Sequence, residues 1–279
     1  MAKSTNIAQK FEFNQEPSAQ DKQKNTPLPL ILRIGVTGHR TEPSNLPITK
    51  RKRSAPNIPA IRLTIQKVLE IISVSFDYEA NPNKDLCNTE KVKFNQHYRA
   101  TLQITSALAS GTDQWAVEEA LKLGFDLHAV LPFNKEEYLK DFSIPVEANT
   151  YRRLLSKANI IIELNGKVAI NERGIRNPSK ESYEAVGRNI LAQIDLLIAV
   201  WDGKESLGLG GTGQVVKEAL QDGIPVIWIP WNNPENWKII GNTGILYDEL
   251  HGDNTQISKI LQSILNFKTD NNLNNCLLD

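Results

Sequence analysis

From about residue 29 onward, short apolar runs rich in β-branched residues alternate with longer stretches in which apolar residues return every three or four positions. The first pattern fits strands and the second amphipathic helices. Strands are predicted at Leu30–Val36, Thr101–Ser106, Asp126–Leu131, Ile160–Leu164, Asp195–Trp201 and Pro225–Ile229. The runs "DLLIAV" and "PVIWI" are almost continuously apolar, as expected of parallel strands covered on both faces. In "IPAIRLTIQKVLEIISVSF", Ile61, Ile65, Val68, Ile72 and Phe76 fall on one stripe of a long helix. Shorter helices are predicted in "DQWAVEEALKLG", "VEANTYRRLLSKA", "YEAVGRNILAQ", "GQVVKEALQDG" and "ISKILQSILNF". The glycines of "KLG" and "QDG" stand where a C-cap needs a left-handed residue. Strands alternating with helices predict an α/β fold: a three-layer sandwich with a mostly parallel sheet flanked by helices.

Residues 1–28 are polar and have little to bury, so a disordered tail is expected there, followed by one domain over 29–268 and a flexible tail over 269–279. The segments 81–98 and 165–181 are polar insertions, read as loops or a small hairpin. The 32 basic and 32 acidic residues cancel. Without a net positive field a nucleic-acid partner is not expected, although "KRKR" at Lys50–Arg53 forms either a solvated loop or a local phosphate patch. Two distant cysteines give neither a disulfide framework nor a metal-ligand spacing, so no metal is expected. No apolar leader opens the sequence, no run is long enough to cross a membrane, and a cytoplasmic protein is expected.

Ligands of open parallel sheets bind at the carboxyl ends of the strands, where loops meet helix N-termini. Four elements occupy such positions. "GVTGHR" ends the first strand with Gly38, His39 and Arg40. "ASGTDQW" carries Ser110, Gly111 and Asp113 into a helix. Asp202 and Gly203 end the strand before "GLGGTGQ", where Gly210, Gly211, Thr212 and Gly213 open the next helix. Arg188 lies on the helix preceding that strand. Glycines let backbone N–H groups approach a ligand, and a helix N-terminus favours phosphate. Asp113 fits either a helix cap or a contact to a ribose hydroxyl. His39 fits either a structural hydrogen bond or a ligand contact, and Trp201 either core or a stacking wall.

In their order these motifs resemble the SLOG superfamily, the Rossmann-like group that joins DprA/Smf proteins and LOG phosphoribohydrolases. "IGVTGHRTEPS" is similar to its first strand and Gly-x-Arg turn, through Gly38 and Arg40. "ALASGTDQWAVEEALKLG" is similar to the DprA segment that ends in Asp113. Arg188 matches the arginine before the buried strand, and "GLGGTGQVVKEA" resembles the phosphate loop of the LOG enzymes through Gly210, Gly211 and Gly213. The resemblance implies a nucleotide or nucleotide-derived ligand such as an ADP-ribose derivative, without a cofactor. It also implies a sensing role in bacterial defence or stress signalling, exerted on an effector protein or through a homo-oligomer. The alternative is an enzyme that cleaves an N-glycosidic bond, a nucleoside-monophosphate phosphoribohydrolase or deoxyribosyltransferase. Arg188 with Glu218 or Glu184 would then be catalytic. The sequence departs from the LOG pattern there: Leu209 replaces the proline, Gln214 the threonine, and Lys217 the catalytic glutamate, with Glu218 displaced by one residue, about 100° around a helix. A third reading, DprA-like single-stranded DNA binding, would use Lys50–Arg53.

Overall fold

The structure is a computed structural model, described here for residues 29–40, 56–80, 99–204, 210–241, 250–251 and 255–265. The predicted tails, the 81–98 insertion and Lys50–Arg53 lie outside the described residues. In chain order the elements are β1 (Pro29–Gly38), α1 (Ile58–Ala80), β2 (Arg99–Ser106), α2 (Thr112–Lys122), β3 (Asp126–Leu131), α3 (Lys135–Leu139), α4 (Pro145–Leu155), β4 (Ile160–Glu163), β5 (Val168–Ile170), β6 (Arg176–Pro178), α5 (Lys180–Leu191), β7 (Leu196–Trp201), α6 (Thr212–Gln221), β8 (Val226–Pro230), β9 (Lys238–Ile240) and β10 (Leu250–His251), followed by helix α7 over 255–265.

Eight strands form one sheet in the order β10-β9-β8-β7-β1-β2-β3-β4. The six predicted strands β1–β4, β7 and β8 pair in parallel, and β9 and β10 add an antiparallel edge. This is the α/β, Rossmann-like arrangement that the patterning predicts. The 165–181 insertion contains the hairpin β5–β6, a two-stranded sheet of its own.

Each face of the sheet has a separate core. On β7, Leu196, Ile198 and Val200 join the cluster formed with α1, α2, α4 and α7, while Leu197 and Ala199 join the one under α5 and α6. The two-residue period of a strand explains why "LLIAV" must be apolar throughout. Each of these larger side chains contributes roughly 1.5–3 kcal/mol by leaving water. On β1, Leu32, Ile34 and Val36 face the first cluster. The opposite face is kept small at Gly35, where an added Cβ would stand 2.5 Å from Ile194.

Both neighbours of β1 run parallel to it. The chain leaves β1 toward β2 on one side and returns to β7 on the other. That reversal of direction opens a crevice at the carboxyl ends of β1 and β7.

Candidate functional site

A cavity of about 100 Å³ lies at this carboxyl edge. Its walls come from Gly38 at the end of β1 and Arg40 beyond it, Ala107, Ala109 and Asp113 around the β2–α2 turn, Pro132 after β3, Tyr138 on α3, Tyr183 and Gly187 on α5, and Gly210 and Thr212 at the start of α6. Gly38 is required by proximity: a Cβ there would lie 2.5 Å from the Thr112 side chain. Thr112 in turn donates from Oγ1 to the His39 carbonyl at 3.0 Å, joining the end of β1 to the start of α2.

Asp113 sits in the first turn of α2 and is 5% exposed. Gly111 is the N-cap, and the Asp113 carboxylate does not cap this helix. It turns back toward the loop, where Ser106 Oγ donates to Oδ2 at 3.3 Å and the backbone of Ala109 and Ala107 favours its ionised form. That loop bends sharply at Leu108, a buried residue with φ 57°, a left-handed conformation costly for leucine. Burial pushes the Asp113 carboxyl up to about 7; the Arg40 charge, the backbone of Ala109 and Ala107 and the Ser106 hydrogen bond oppose this without cancelling it. Near neutral pH the group therefore divides between an acid that can donate and a carboxylate that can accept.

Arg40 is solvent-accessible, and its guanidinium lies 5.8 Å from the centroid of the Tyr183 ring. Desolvation lowers its proton affinity, but the opposing fields of Tyr138, Asp141, Tyr183 and Asp113 raise it on balance. Among the described residues it makes no ion pair and no hydrogen bond, so the donors of a permanently charged fork remain available. Tyr138 is 1% exposed, and its ring packs edge-on against Phe142 and Tyr151. Burial, and the carboxylates Asp113 and Asp141, raise the proton affinity of its hydroxyl far above normal, so it stays protonated. No hydrogen-bond partner for that hydroxyl occurs among the described residues, an unusual state for a buried polar group. A free cation, an unsatisfied hydroxyl and a titrating carboxyl share one cavity, beside a helix N-terminus whose first N–H groups have no partner within the helix. An anionic, hydroxyl-bearing group of small size would satisfy all of them.

The other predicted residues fall into separate places. His39 is buried beside β7: its Nε2 lies 3.2 Å from the Asp202 N–H and 3.1 Å from Asp202 Oδ1, and its ring meets Trp231 edge-on at 5.2 Å. Neither His39 nor Asp202 lines the cavity. Ser110, Gly111, Gly203, Gly211 and Gly213 also lie off its walls; Gly111 and Gly203 supply left-handed turns with φ 86° and 79°. Trp201 folds over the turn after β7, donating from Nε1 to the Lys204 carbonyl at 2.8 Å, and packs against Trp228. Gly210 (φ 76°) does line the cavity, but its N–H is occupied by Gln214 Oε1 at 2.8 Å.

The catalytic candidates gather beside the cavity rather than in it. Arg188, 65% exposed, donates to Glu184 at 2.6 Å and lies 3.7 Å from Glu218, while Gln214 bridges both carboxylates at 3.1 and 2.8 Å. Arg40 is thus the arginine of the cavity, and Asp113 its carboxyl group. The sequence reading missed Tyr138 and Tyr183. Among the described residues, no three His, Cys, Asp or Glu side chains converge as metal ligands, and no helix is long and apolar enough to cross a membrane.

No family profile and no curated protein matches the chain in sequence. Three solved structures are similar to it. DNA processing protein A (DprA) from Streptococcus pneumoniae has a TM-score of 0.41 at 16% identity, over 72% of this chain and 50% of that one. DprA from Helicobacter pylori, solved for its single-stranded DNA binding mode, has 0.38 at 17%, over 86% and 81%. The structural-genomics target TM1055 has 0.37 at 13%, over 81% and 88%. The chain spans half the length of the Streptococcus pneumoniae protein.

Proposed function

We propose that this protein binds the phosphate-bearing part of a nucleotide or nucleotide-derived small molecule in the cavity at the ends of β1 and β7, and acts as a sensor of that molecule. The observation that carries this reading is a pair of donors in one wall: the solvent-accessible Arg40 guanidinium, without an ion pair among the described residues, and the buried Tyr138 hydroxyl, without an acceptor among them. Arg40 and the N-terminus of α6 hold the phosphate, Tyr138 donates to it or to a neighbouring oxygen, and Asp113 accepts from a sugar hydroxyl. The strained turn at Leu108, whose N–H holds the Ser106 hydroxyl that donates to Asp113, fits a site organised before its ligand arrives.

A second reading, N-glycosidic hydrolysis, is favoured by the position of Asp113 rather than by Glu218 or Glu184. Asp113 in its acid form would protonate the leaving base as its bond to the sugar carbon breaks. Water would add at that carbon, giving free base and sugar phosphate, and its released proton would restore Asp113. The experiment that separates the two is a thermal-shift panel of AMP, ADP-ribose, NAD, cyclic nucleotides and deoxynucleotides, with each sample assayed for released base. A bound ligand raises the melting temperature by mass action. A shift with intact ligand supports the sensor, and free base makes the protein an enzyme. No shift with any nucleotide, together with a salt-sensitive shift on single-stranded DNA, would replace both readings with nucleic-acid binding.

A further inference from the structure

Arg40 stands within the field of an acidic group with which it does not pair. Asp141, whose side chain is 5% exposed, contributes to the raised proton affinity of Arg40. Yet both its oxygens are engaged: Oδ1 accepts from Arg176 Nη1 at 2.5 Å, and Oδ2 accepts from the Tyr183 hydroxyl at 2.6 Å. Arg176 comes from β6 of the hairpin. It also donates from Nε to Glu137 at 2.5 Å and from Nη2 to the Glu137 carbonyl at 3.2 Å, with its guanidinium 5.5 Å from the Phe133 ring centroid. The hairpin inserted between β4 and α5 therefore delivers a positive charge to the acid nearest in effect to the arginine of the cavity.

We propose that Arg176 is a positioning residue for the anion site: by neutralising Asp141 it keeps Arg40 unpaired and turned to the cavity, so that the site accepts an external phosphate instead of closing on an internal carboxylate. The proposal rests on the reading of the cavity as an anion site. Without Arg176, Asp141 would be a buried carboxylate supported by a single hydroxyl, a costly arrangement. Swinging the long Arg40 side chain onto it relieves that cost. A ligand would then bind only the fraction of molecules in which Arg40 is released, and its apparent dissociation constant would rise by the reciprocal of that fraction. The Tyr183 hydroxyl works in the same direction: a phenol donating to a carboxylate has a more electron-rich ring, which holds Arg40 over its face.

A fastening role, in which Arg176 merely holds the hairpin down, is separable by a double-mutant cycle read with inorganic phosphate and AMP as calorimetric probes. Arg176→Gln is expected to weaken both probes about tenfold, corresponding to about 1.4 kcal/mol. Arg176→Gln combined with Asp141→Asn restores binding to within about threefold of wild type, because the competing charge is gone; Asp141→Asn alone binds at least as tightly as wild type. In the ¹⁵N spectrum the Arg40 guanidinium signal, assigned by its loss in Arg40→Ala, moves in Arg176→Gln and returns in the double variant. If the double variant binds no better than Arg176→Gln, or Asp141→Asn binds more weakly than wild type, the positioning role is overturned. The latter arm holds even where Arg176→Gln fails to fold. Unchanged binding in Arg40→Ala overturns the anion site itself. Loss of binding in Arg40→Ala with wild-type affinity in Arg176→Gln overturns the positioning role alone.

Discussion

Asp113→Asn tests whether the cavity floor is as dry as its geometry requires. Burial raises the Asp113 carboxyl from 3.8 to about 7 in the folded protein. A group that holds its proton more tightly when folded supports the fold fully below its unfolded value, and that support is lost as pH rises through the folded one. At about 1.4 kcal/mol per pH unit of displacement, keeping the ionised carboxylate buried costs about 4 kcal/mol well above pH 7. At pH 5 a little under half of that cost is already present, so the interval from pH 5 to pH 8 holds about 2–3 kcal/mol. Asparagine keeps the shape and the acceptor for Ser106 but does not titrate. Urea unfolding of both proteins at pH 5 and pH 8 isolates the effect, because every other titrating group is shared and cancels in the difference. The stability of Asp113→Asn relative to wild type should rise by about 2–3 kcal/mol between pH 5 and pH 8. An identical difference at the two pH values would mean that Asp113 ionises as an ordinary surface carboxylate. The acid–base reading of the cavity would then be lost.

Three further substitutions separate the cavity from its surroundings. Arg40→Ala should weaken AMP binding roughly 10- to 100-fold, the range for losing a charge-assisted hydrogen bond, whereas Arg188→Ala, 65% exposed and paired on its own helix, should change it by no more than about threefold; calorimetric titrations in the opposite order would move the anion site to the cluster between α5 and α6. Tyr138→Phe should raise the stability of the ligand-free protein by about 1–2 kcal/mol, by deleting a buried hydroxyl without a partner, while lowering AMP affinity. A lower melting temperature without ligand would show that the hydroxyl is satisfied in the folded protein.

Most of the strands that the pattern predicts are buried on both sides, where an apolar run has only one explanation; β4, largely exposed at the sheet edge, is marked instead by its run of isoleucines. The missed ones lack that signal. β9 is three residues long, too short for a period to show, whereas β5 and β6 form the small hairpin that the 165–181 insertion left open beside a loop. Helix α3 spans five residues, too few for a helical period, and is fixed instead by the Asn134 side chain accepting from the Glu137 N–H. The same short helix brings Tyr138 to the cavity, which explains why that residue was not legible.

Among the cations, local spacing was more informative than the glycine motif around it. Glu184 and Arg188 stand four residues apart on one predicted helix, close enough to satisfy each other without tertiary help, and in the structure they do so at 2.6 Å. Arg40 follows a strand, and among the described residues it has no ion pair. Its nearby acid, Asp141, comes from a distant segment and is already held by Arg176 and Tyr183. An arginine kept ready for a ligand must be charged, close to the fold and still unclaimed; that condition depends less on Arg40 itself than on the residues that occupy its competitor. The identity of the available cation was therefore set by a contact between β6 and α3–α5 that the sequence pattern could not display.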